Sequence, residues 1–239
     1  MHHPHSAGHL DRAMISANAL RGRISDFPAP EWILDSGAFT QLSTHGCFVD
    51  TPREYACAIK RWARCGDLKA AVTQDYMCEP WVLDSLGNTV IQHQRRTVAR
   101  YDAICSELAN CGSGIYLMPV LQGWQPDDYA DHIKMYSYRL RPNAWVGVGS
   151  VCKRNSSPAD VLYILRTIKK ARPDLRLHGF GVKATALRFP GVRDLLHSAD
   201  SMAWSYAARK QGRDANDPAE AVRWTRQLMQ PKHDAPLFR

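Results

Sequence analysis

The stretch from Leu196 to Arg213 combines one carboxylate with three cations and is the first candidate for chemistry. It begins as a short run with apolar flanks that predicts a strand, and Asp200 lies inside this run. Arg209, Lys210 and Arg213 follow. A single acid near a strand end, followed by a basic loop, favours a carboxylate nucleophile that faces a phosphate-bearing substrate. On this stretch alone the alternative, that Asp200 caps the following segment, stays open.

Polar side chains also recur where other predicted strands end. Two acids can divide the work of a retaining glycosyl transfer, since one attacks the anomeric carbon and the other handles protons. A third acid and an amide can bind the edge of a purine, because a carboxylate accepts from N–H groups and an amide N–H donates to a carbonyl. Phe39 and His178 can bracket a flat base. The polar residues at these strand ends are Asp35, Asp75, Gln122, Ser150, His178 and Asp200.

The charge balance points to a polyanionic partner. The 239 residues include 31 Lys and Arg against 23 Asp and Glu, which gives a net charge of +8 and an isoelectric point near 9.2. Because several cations follow strand ends, we expect them to ring the mouth of a site, which favours nucleic-acid binding over a generic basic surface. These cations are Lys153, Arg154, Lys183, Arg209, Lys210 and Arg213.

Composition limits the class of protein. A hydrophobic content of 45% and a charged content of 23% are ordinary for a globular protein. The sequence has no apolar run of transmembrane length and no secretory signal, so we expect a cytoplasmic protein without a membrane partner. The seven cysteines have no framework spacing, which predicts reduced thiols. The last is Cys152, so we expect no structural zinc site downstream of Asp200.

Strand and helix patterns alternate along the chain. The near-continuous apolar strands indicate parallel strands that are buried on both faces. A helix over 51–66 is marked by Thr51 as N-cap, Pro52 at its first position and Glu54 in a capping box. We predict strands over 13–18, 32–34, 70–80, 115–123, 145–154 and 175–183 and around Asp200, and further helices over 89–112, 126–140, 158–172 and 217–230.

This order fits either a doubly wound sheet or a (β/α)8 barrel. A barrel is favoured because it gathers the polar strand ends around one site. Seven strands can be counted, so we expect the barrel to be shortened or to lack a strand at its N-terminus. We expect one catalytic domain over 13–230, a flexible N-terminus over 1–12 and a flexible tail over 231–239. The Gly-x-Gly turns in VGVGS and HGFGVK are too short to indicate a dinucleotide site.

Six ordered motifs resemble those of the tRNA-guanine transglycosylases. They are DSGAF (35–39), QDYMCEP (74–80), PVLQG (119–123), VGVGS (146–150), HGFGVK (178–183) and ADSMAWSYAAR (199–209). The wording LDSGAFTQLSTHG, PVLQGW and SADSMAWSYAAR is closer to the DpdA branch of this superfamily. That branch inserts 7-deazaguanines into DNA in bacterial and phage modification systems. The resemblance covers residues 13–217.

The resemblance implies a role for individual residues. Asp200 is implied as the nucleophile and Asp35 as the general base. Phe39 is implied to stack on the base, with His178 at its opposite face. The remaining residues that the motifs place at the substrate are Ser36 beside the ring, Asp75 and Gln122 at the base edge, Gly147 or Gly149 as a backbone N–H donor, and Gly179 next to His178.

Two departures favour the DNA branch. The sequence lacks the CxCxxC…His zinc motif of the tRNA enzymes, and it has no appended RNA-binding domain. We therefore expect exchange of guanine in DNA for a preQ0-like 7-deazaguanine base, with no cofactor. Three alternatives stay open: tRNA-guanine exchange, a catalytically idle nucleic-acid-binding paralogue, against which the presence of Asp35 and Asp200 speaks, and a glycosidase without a nucleic-acid substrate. Other DNA-modification proteins and a homodimer are left open as partners.

Overall fold

A computed structural model describes residues 4–154 and 157–229 as a mixed α/β protein. The strands are β1 Arg12–Ser16, β2 Glu31–Asp35, β3 Asp67–Val72, β4 Leu117–Met118, β5 Val120–Leu121, β6 Trp145–Val148, β7 Arg176–Gly179 and β8 Ser198–Ala199. The α-helices are α1 Pro4–Ala7, α2 Ala17–Leu20, α3 Ala38–His45, α4 Pro52–Trp62, α5 Pro80–Leu86, α6 Val90–Asn110, α7 Pro126–Tyr136, α8 Pro158–Ala171, α9 Ala184–Leu187, α10 Val192–Leu195, α11 Ala203–Lys210 and α12 Pro218–Met229.

The strands pair in parallel in two groups of four, β1-β2-β3-β4 and β5-β6-β7-β8. Only Pro119 separates β4 from β5, and a proline has no N–H with which to continue a ladder. Its carbonyl oxygen still accepts a hydrogen bond from the N–H of Gly147 at 2.8 Å. Residues 117–121 are therefore one interrupted strand, bonded to β3 on one side and to β6 on the other. Counted in this way, the described residues form the seven parallel strands that the sequence predicts.

One apolar cluster joins the two sheets. On β1, Met14 belongs to this cluster, whereas its neighbours Ala13 and Ile15 pack into a different one with the helices. This alternation places successive side chains on opposite faces of the strand. The shared cluster contains residues from both sheets, so the two sheets face a common core. Its members are Met14, Ala70, Val72, Met118 and Val120, with Ile33, Trp145 and Phe180 packed against them.

The expectation of a (β/α)8 barrel is met only in part. Strands and helices alternate, and every strand pair is parallel, as in a barrel. Within residues 4–154 and 157–229, however, no strand pair joins β8 to β1. The structure is thus a parallel α/β protein, and a closed eight-stranded barrel is not shown.

Helix α4 begins as its sequence predicts. The hydroxyl of Thr51 accepts a hydrogen bond from the N–H of Glu54 at 3.2 Å, and the Glu54 carboxylate accepts from the N–H of Thr51 at 2.8 Å. These bonds satisfy two N–H groups that the first helical turn leaves without a partner. Tyr55 then points from this helix into the core, where its hydroxyl donates to the carbonyl of Val72 at 2.7 Å.

Five strands end earlier than the sequence predicts, three of them by four residues or more. β3 ends at Val72, β6 at Val148 and β7 at Gly179, so the polar residues beyond them lie on loops. The predicted strands are too long because apolar residues continue into the loops. In the structure these loop residues no longer pair with a neighbouring strand. At Ser150 the backbone adopts a positive φ of 58°, which is uncommon for a residue with a side chain. On a loop these side chains need not alternate in direction as they do along a regular strand, so they can point toward one site.

The two ends of the chain were expected to be flexible. Residues 4–7 instead form the short helix α1, and Ala7 is fully buried in the core beside β1. The predicted tail at 231–239 falls beyond the last described residue, Met229. Among the helices of the described residues, none is both long enough and apolar enough to cross a membrane.

Candidate functional site

Asp200 directly follows β8, and backbone groups of the preceding loop hold it in place. Its Oδ1 accepts a hydrogen bond from the N–H of Gly181 at 2.9 Å, and its own N–H donates to the carbonyl of Gly179 at 3.3 Å. The side chain is 15% exposed, so the carboxylate is enclosed but can be reached from solvent. The N-cap of the following helix, α11, is Met202. Capping therefore does not explain Asp200, and the alternative left open by the sequence is excluded.

His178 supports Asp200 from β7. Its Nε2 lies 3.5 Å from Oδ1 of Asp200, and its Nδ1 lies 2.9 Å from Oγ of Ser198. The same Oγ accepts a hydrogen bond from Nε1 of Trp145 at 3.0 Å. The imidazole is 2% exposed and packs edge-on against the rings of Trp145 and Phe180. Neither face is open to a base, so the predicted stacking role of His178 is wrong, and the residue instead positions Asp200.

Asp35 ends β2 beside the last residue of β1, Ser16. Its Oδ2 accepts a hydrogen bond from the N–H of Gly37 at 3.0 Å. Gly37 has a φ of 76°, and a Cβ there would lie 2.3 Å from the amide nitrogen of Asn18. Glycine is needed at this turn both for its left-handed backbone and for this close approach. The DSGAF motif therefore fixes the direction in which the Asp35 carboxylate points.

The two acids have opposite electrostatic environments. Burial, followed by the negative charge of Asp200, raises the pKa of Asp35 to about 6. Burial acts on Asp200 in the same direction, but the hydrogen bond and charge of His178 and the N–H of Gly181 outweigh it and lower the pKa of Asp200. One carboxyl group is thus an anion at neutral pH, while the other can exchange a proton near neutrality. This division is what a nucleophile and an acid–base group require.

Asp75 and Gln122 lie together, as the sequence predicts for residues that bind one base edge. Nε2 of Gln122 donates to Oδ2 of Asp75 at 2.5 Å, and the hydroxyl of Ser36 donates to Oδ1 at 3.3 Å. All three side chains are at least 94% buried. Burial raises the pKa of Asp75 to about 7, although the hydrogen bond from Gln122 acts against the shift. Ser36 directly follows Asp35 in the chain, so it links this pair to the end of β2.

The predicted role of Gly147 and Gly149 as N–H donors to the base is wrong. The N–H of Gly147 donates to the carbonyl of Pro119 at 2.8 Å, and that of Gly149 donates to the carbonyl of Leu121 at 2.9 Å. Both backbone N–H groups already donate hydrogen bonds to the neighbouring strand, so neither can donate to a base. The glycines matter for space instead, since a Cβ on Gly149 would lie 2.2 Å from Nε2 of Gln122.

Gly147 and Gly179 make room for apolar neighbours. A Cβ on Gly147 would lie 2.3 Å from the ring of Phe180, and one on Gly179 would lie 2.7 Å from the side chain of Val182. A Cβ at either position would collide with its neighbour, so the packing of the 178–183 loop depends on both glycines.

Phe39, which is predicted to stack on the base, has a half-exposed aromatic ring. It lies on α3, four residues after Asp35, and its side chain is 50% exposed. Its ring contacts that of Trp81, with the centroids 6.2 Å apart. Trp81 lies on α5 and is 44% exposed. Sequence reasoning missed Trp81, although it follows the QDYMCEP motif directly.

The six predicted phosphate-binding cations are not equivalent. Arg154 packs over the ring of Trp124 at 4.0 Å and donates to its carbonyl, and Arg213 forms two hydrogen bonds with Glu220. These two arginines stabilise the fold, which weakens their predicted role. Lys183, Arg209 and Lys210 are exposed. Lys153 lies in the 3-10 helix Cys152–Arg154, and its side chain is outside the described part of the structure.

Glu79 was overlooked in the sequence. Its carboxyl is 1% exposed, and Oε2 lies 2.9 Å from the hydroxyl oxygen of Ser150. Ser150, which the sequence marks as a polar strand end, also lies 2.8 Å from Oε1 of Gln122. In the sequence, the only indication that Glu79 belongs to the site is its position directly before Pro80 in the QDYMCEP motif. Such an acid is equally typical of a helix N-terminus, so only the tertiary contact reveals it.

The chain matches a protein family over residues 14–230. The matching family is described as DpdA, DeoxyPurine in DNA protein A. The chain belongs to the DpdA family. This confirms the resemblance inferred from the six motifs and places the chain among DNA 7-deazaguanine transglycosylases. A comparison with curated proteins finds no match.

The zinc site of the tRNA enzymes does not fit this DpdA chain. Its sequence has no cysteine after Cys152, whereas the zinc motif follows the nucleophile. Over the described residues, no three His, Cys, Asp or Glu side chains are grouped so that they could hold a metal ion. All seven cysteines are free thiols.

Proposed function

We propose that this protein is a DNA transglycosylase that replaces guanine with a preQ0-like 7-deazaguanine through a covalent glycosyl–aspartate intermediate. The observation that carries the proposal is the contrast between Asp200, whose pKa is lowered, and Asp35, whose pKa is raised to about 6 in part by the charge of Asp200, at two strand ends of a DpdA-family chain. Environments that push the pKa values of two acids apart are typical of a nucleophile paired with an acid–base group.

In the first step the Asp200 carboxylate attacks C1′ of the target nucleotide. The C1′–N9 bond breaks with its electron pair on N9, N9 takes a proton from Asp35 so that guanine leaves neutral, and an ester forms between C1′ and Asp200. His178 and the N–H of Gly181 both face Oδ1, which leaves Oδ2 as the attacking oxygen. These contacts also stabilise the carboxylate when it leaves again.

In the second step a 7-deazaguanine occupies the vacated pocket. Asp35 takes the N9 proton, N9 attacks C1′, and Asp200 is released as a carboxylate. A raised pKa suits this step, because a base accepts a proton most efficiently when its pKa is close to the working pH. Two displacements retain the configuration at C1′. The ester preserves the energy of the glycosidic bond, so the reaction as written consumes no cofactor.

Base recognition is assigned to the pair of Asp75 and Gln122. The ionised carboxylate of Asp75 can accept from N1–H and the 2-amino group of guanine. The amide of Gln122 carries a second N–H that can donate to O6. Guanine and 7-deazaguanines share this edge, which explains how one pocket can accept both the leaving and the entering base. Phe39 lies on the following helix and is the candidate for stacking on the ring.

A competition between nucleic acids tests the proposal. The purified protein is incubated with labelled 7-deazaguanine and either a guanine-containing DNA oligonucleotide or a tRNA, and the nucleosides are analysed by mass spectrometry. We expect incorporation into DNA. Single-stranded or mismatched DNA is expected to react at least as well as duplex, because extrusion of a paired base costs about a few kcal/mol. Incorporation into tRNA and into no form of DNA would overturn the choice of substrate.

The site of action and the partners follow from the substrate. A protein that modifies chromosomal or phage DNA is expected in the cytoplasm of a bacterial cell. We also propose other DNA-modification proteins and a second copy of this chain as partners. Co-purification from cells and the mass in solution test these two expectations.

A further inference from the structure

Two half-exposed aromatic rings contact each other on helices α3 and α5. Phe39 is 50% exposed and Trp81 is 44% exposed, and their ring centroids lie 6.2 Å apart. Single exposed apolar side chains are normal on a protein surface, whereas exposed apolar side chains that adjoin one another mark binding surfaces more often. The pair is therefore a candidate for contact with a ligand.

The packing of the two helices holds both rings in place. Ala38 on α3 and Val82 on α5 belong to one buried apolar cluster. Phe39 directly follows Ala38 and Trp81 directly precedes Val82, yet both aromatic rings reach solvent. The cluster thus packs α3 against α5, and the exposed rings keep a fixed distance from each other.

Both helices begin at residues of the proposed base-binding site. Helix α3 follows Gly37, whose N–H donates to Asp35 at 3.0 Å. Helix α5 follows Glu79, whose carboxyl lies 2.9 Å from the hydroxyl oxygen of Ser150. The same hydroxyl lies 2.8 Å from Oε1 of Gln122. The helices that carry the aromatic pair thus start at the pocket proposed for the target base.

The angle between the two rings separates their roles. The ring planes of Phe39 and Trp81 are inclined by 64°, so one flat base cannot lie parallel to both. A base that stacks on Phe39 leaves the face of Trp81 for a second base. In an opened DNA strand this second base is a neighbour of the target, because the two nucleotides are joined covalently.

A cation lies beside the same apolar cluster. Tyr76 belongs to the cluster, and the guanidinium of the exposed Arg96 lies 5.7 Å from the centre of its ring. Aromatic rings combined with nearby cations are typical of proteins that bind single-stranded nucleic acid, because every base offers a face for stacking and every linkage carries a phosphate. The family match makes DNA the nucleic acid to expect.

We propose that Trp81 binds a base next to the target guanine by stacking and so holds the DNA strand open beside the pocket. The inference rests on the proposed function for the identity of the target base, whereas the stacking itself requires only DNA binding. Trp81 binds the strand in this scheme and takes no part in the making or breaking of bonds.

Two variants of similar bulk isolate the stacking contact. Trp81→Phe keeps an aromatic face, and Trp81→Leu keeps an apolar side chain without one. Fluorescence anisotropy with a single-stranded oligonucleotide that contains one guanine gives Kd. We expect Trp81→Leu to raise Kd by about fivefold or more, the lower end of the range for one stacked base, and Trp81→Phe to raise it less. Tyr163→Leu is the matched control, because Tyr163 is 63% exposed on α8. Equal Kd values for the two Trp81 variants would overturn the proposal.

Removal of a base from the DNA tests the same contact in the unaltered protein. Wild type should bind about fivefold or more weakly when an abasic nucleotide replaces the 5′ or the 3′ neighbour of the guanine, and Trp81→Leu should not distinguish the two oligonucleotides. An equal loss in both proteins, no loss at either neighbour, or no binding of single-stranded DNA by wild type would contradict the stacking role. A change of mass in solution for Trp81→Leu at unchanged DNA affinity would instead assign the aromatic pair to a contact between copies of the chain.

Exchange kinetics separate this inference from the proposed function. Trp81→Leu should raise KM for the DNA and leave KM for the free 7-deazaguanine unchanged, because Phe39, Asp75 and Gln122 still bind that base in the proposed site. Equal rises of both KM values would place Trp81 at the exchanged base and overturn the inference. A wild type that shows the abasic loss of affinity but exchanges no base would contradict the proposed function and leave the role of Trp81 supported.

Discussion

Asp35 and Asp200 lie at the ends of β2 and β8, 165 residues apart in the sequence, yet the charge of one acts on the other. Burial contributes most to the raised pKa of Asp35, and the anion of Asp200 adds to it. When Asp200 forms an ester with C1′ it loses this charge, so the pKa of Asp35 falls at the stage at which the leaving guanine needs a proton. When the ester breaks, the charge returns and helps Asp35 to keep the proton that it took from the entering base. The two acids are therefore coupled through the reaction that we propose.

The first prediction concerns the nucleophile. Asp200→Asn should abolish base exchange while the protein remains folded, because an amide cannot form the glycosyl ester but fills the same space. Wild type incubated with a guanine-containing oligonucleotide should give a slower covalent band on a denaturing gel, and the variant should give none. Asp194→Asn is the matched control, since Asp194 is exposed on the nearby helix α10. Incorporation by Asp200→Asn at the wild-type rate, with deamidation excluded, would show that another residue is the nucleophile.

The second prediction uses the raised pKa of Asp35, about 6. A carboxyl whose pKa is higher in the folded than in the unfolded state stabilises the fold at low pH, and this contribution is lost as the pH rises through the folded pKa. Asp35→Asn should therefore raise the free energy of unfolding relative to wild type by about 2 kcal/mol more at pH 8 than at pH 4. Urea titrations at the two pH values measure this difference. A constant difference would mean that the pKa of Asp35 is not raised.

The third prediction tests the close approach of Gln122 to Gly149. Gly149→Ala would place a Cβ 2.2 Å from the amide nitrogen of Gln122 and so displace it from Asp75. Loss of a buried hydrogen bond of about 1–3 kcal/mol corresponds to an increase of KM for the entering base by roughly 5- to 160-fold. Gly114→Ala is the matched control, because a Cβ there meets no atom within 4 Å. Equal exchange kinetics for the two variants would place base recognition elsewhere.

The fourth prediction separates cations that bind phosphate from those that support the fold. Removing Arg209 and Lys210 together should make the salt dependence of DNA binding shallower by up to about 1.4–1.8, if each contacts one phosphate. The control that removes Arg166 and Lys170, two exposed cations of α8, should leave the slope unchanged. Fluorescence anisotropy at several salt concentrations gives the slopes. Equal slopes for both double variants would exclude Arg209 and Lys210 from the DNA contact.

Arg213 is expected to behave differently from its two neighbours. Its guanidinium makes two hydrogen bonds to Glu220, whose side chain is 5% exposed. Arg213→Ala should therefore lower the melting temperature and leave the salt slope of DNA binding nearly unchanged. Arg213→Lys keeps the charge but cannot make the paired contact, so it should also lower the melting temperature. A large change in slope with an unchanged melting temperature would restore the phosphate role that the sequence predicts.

The sequence by itself determined the family and the parallel α/β class, and it predicted that several polar residues at strand ends lie close together. Apolar strands that alternate with capped helices required parallel strands, and the carboxyl ends of parallel strands meet at one edge. That rule was sufficient to bring Asp35, Asp75, Gln122 and Asp200 to one place, even though five of the predicted strands end early.

Only the tertiary structure decided what several of these residues do. His178 is closed in by Trp145 and Phe180, the N–H groups of Gly147 and Gly149 are used in the sheet, and Arg154 and Arg213 are bound to neighbouring groups. Glu79 became part of the site only through Ser150, which is 71 residues away in the sequence. Sequence patterns report which face or end of an element a residue occupies. Whether a donor is already satisfied, or a ring already covered, depends on partners distant in the chain, and these are fixed only when the strands pack together.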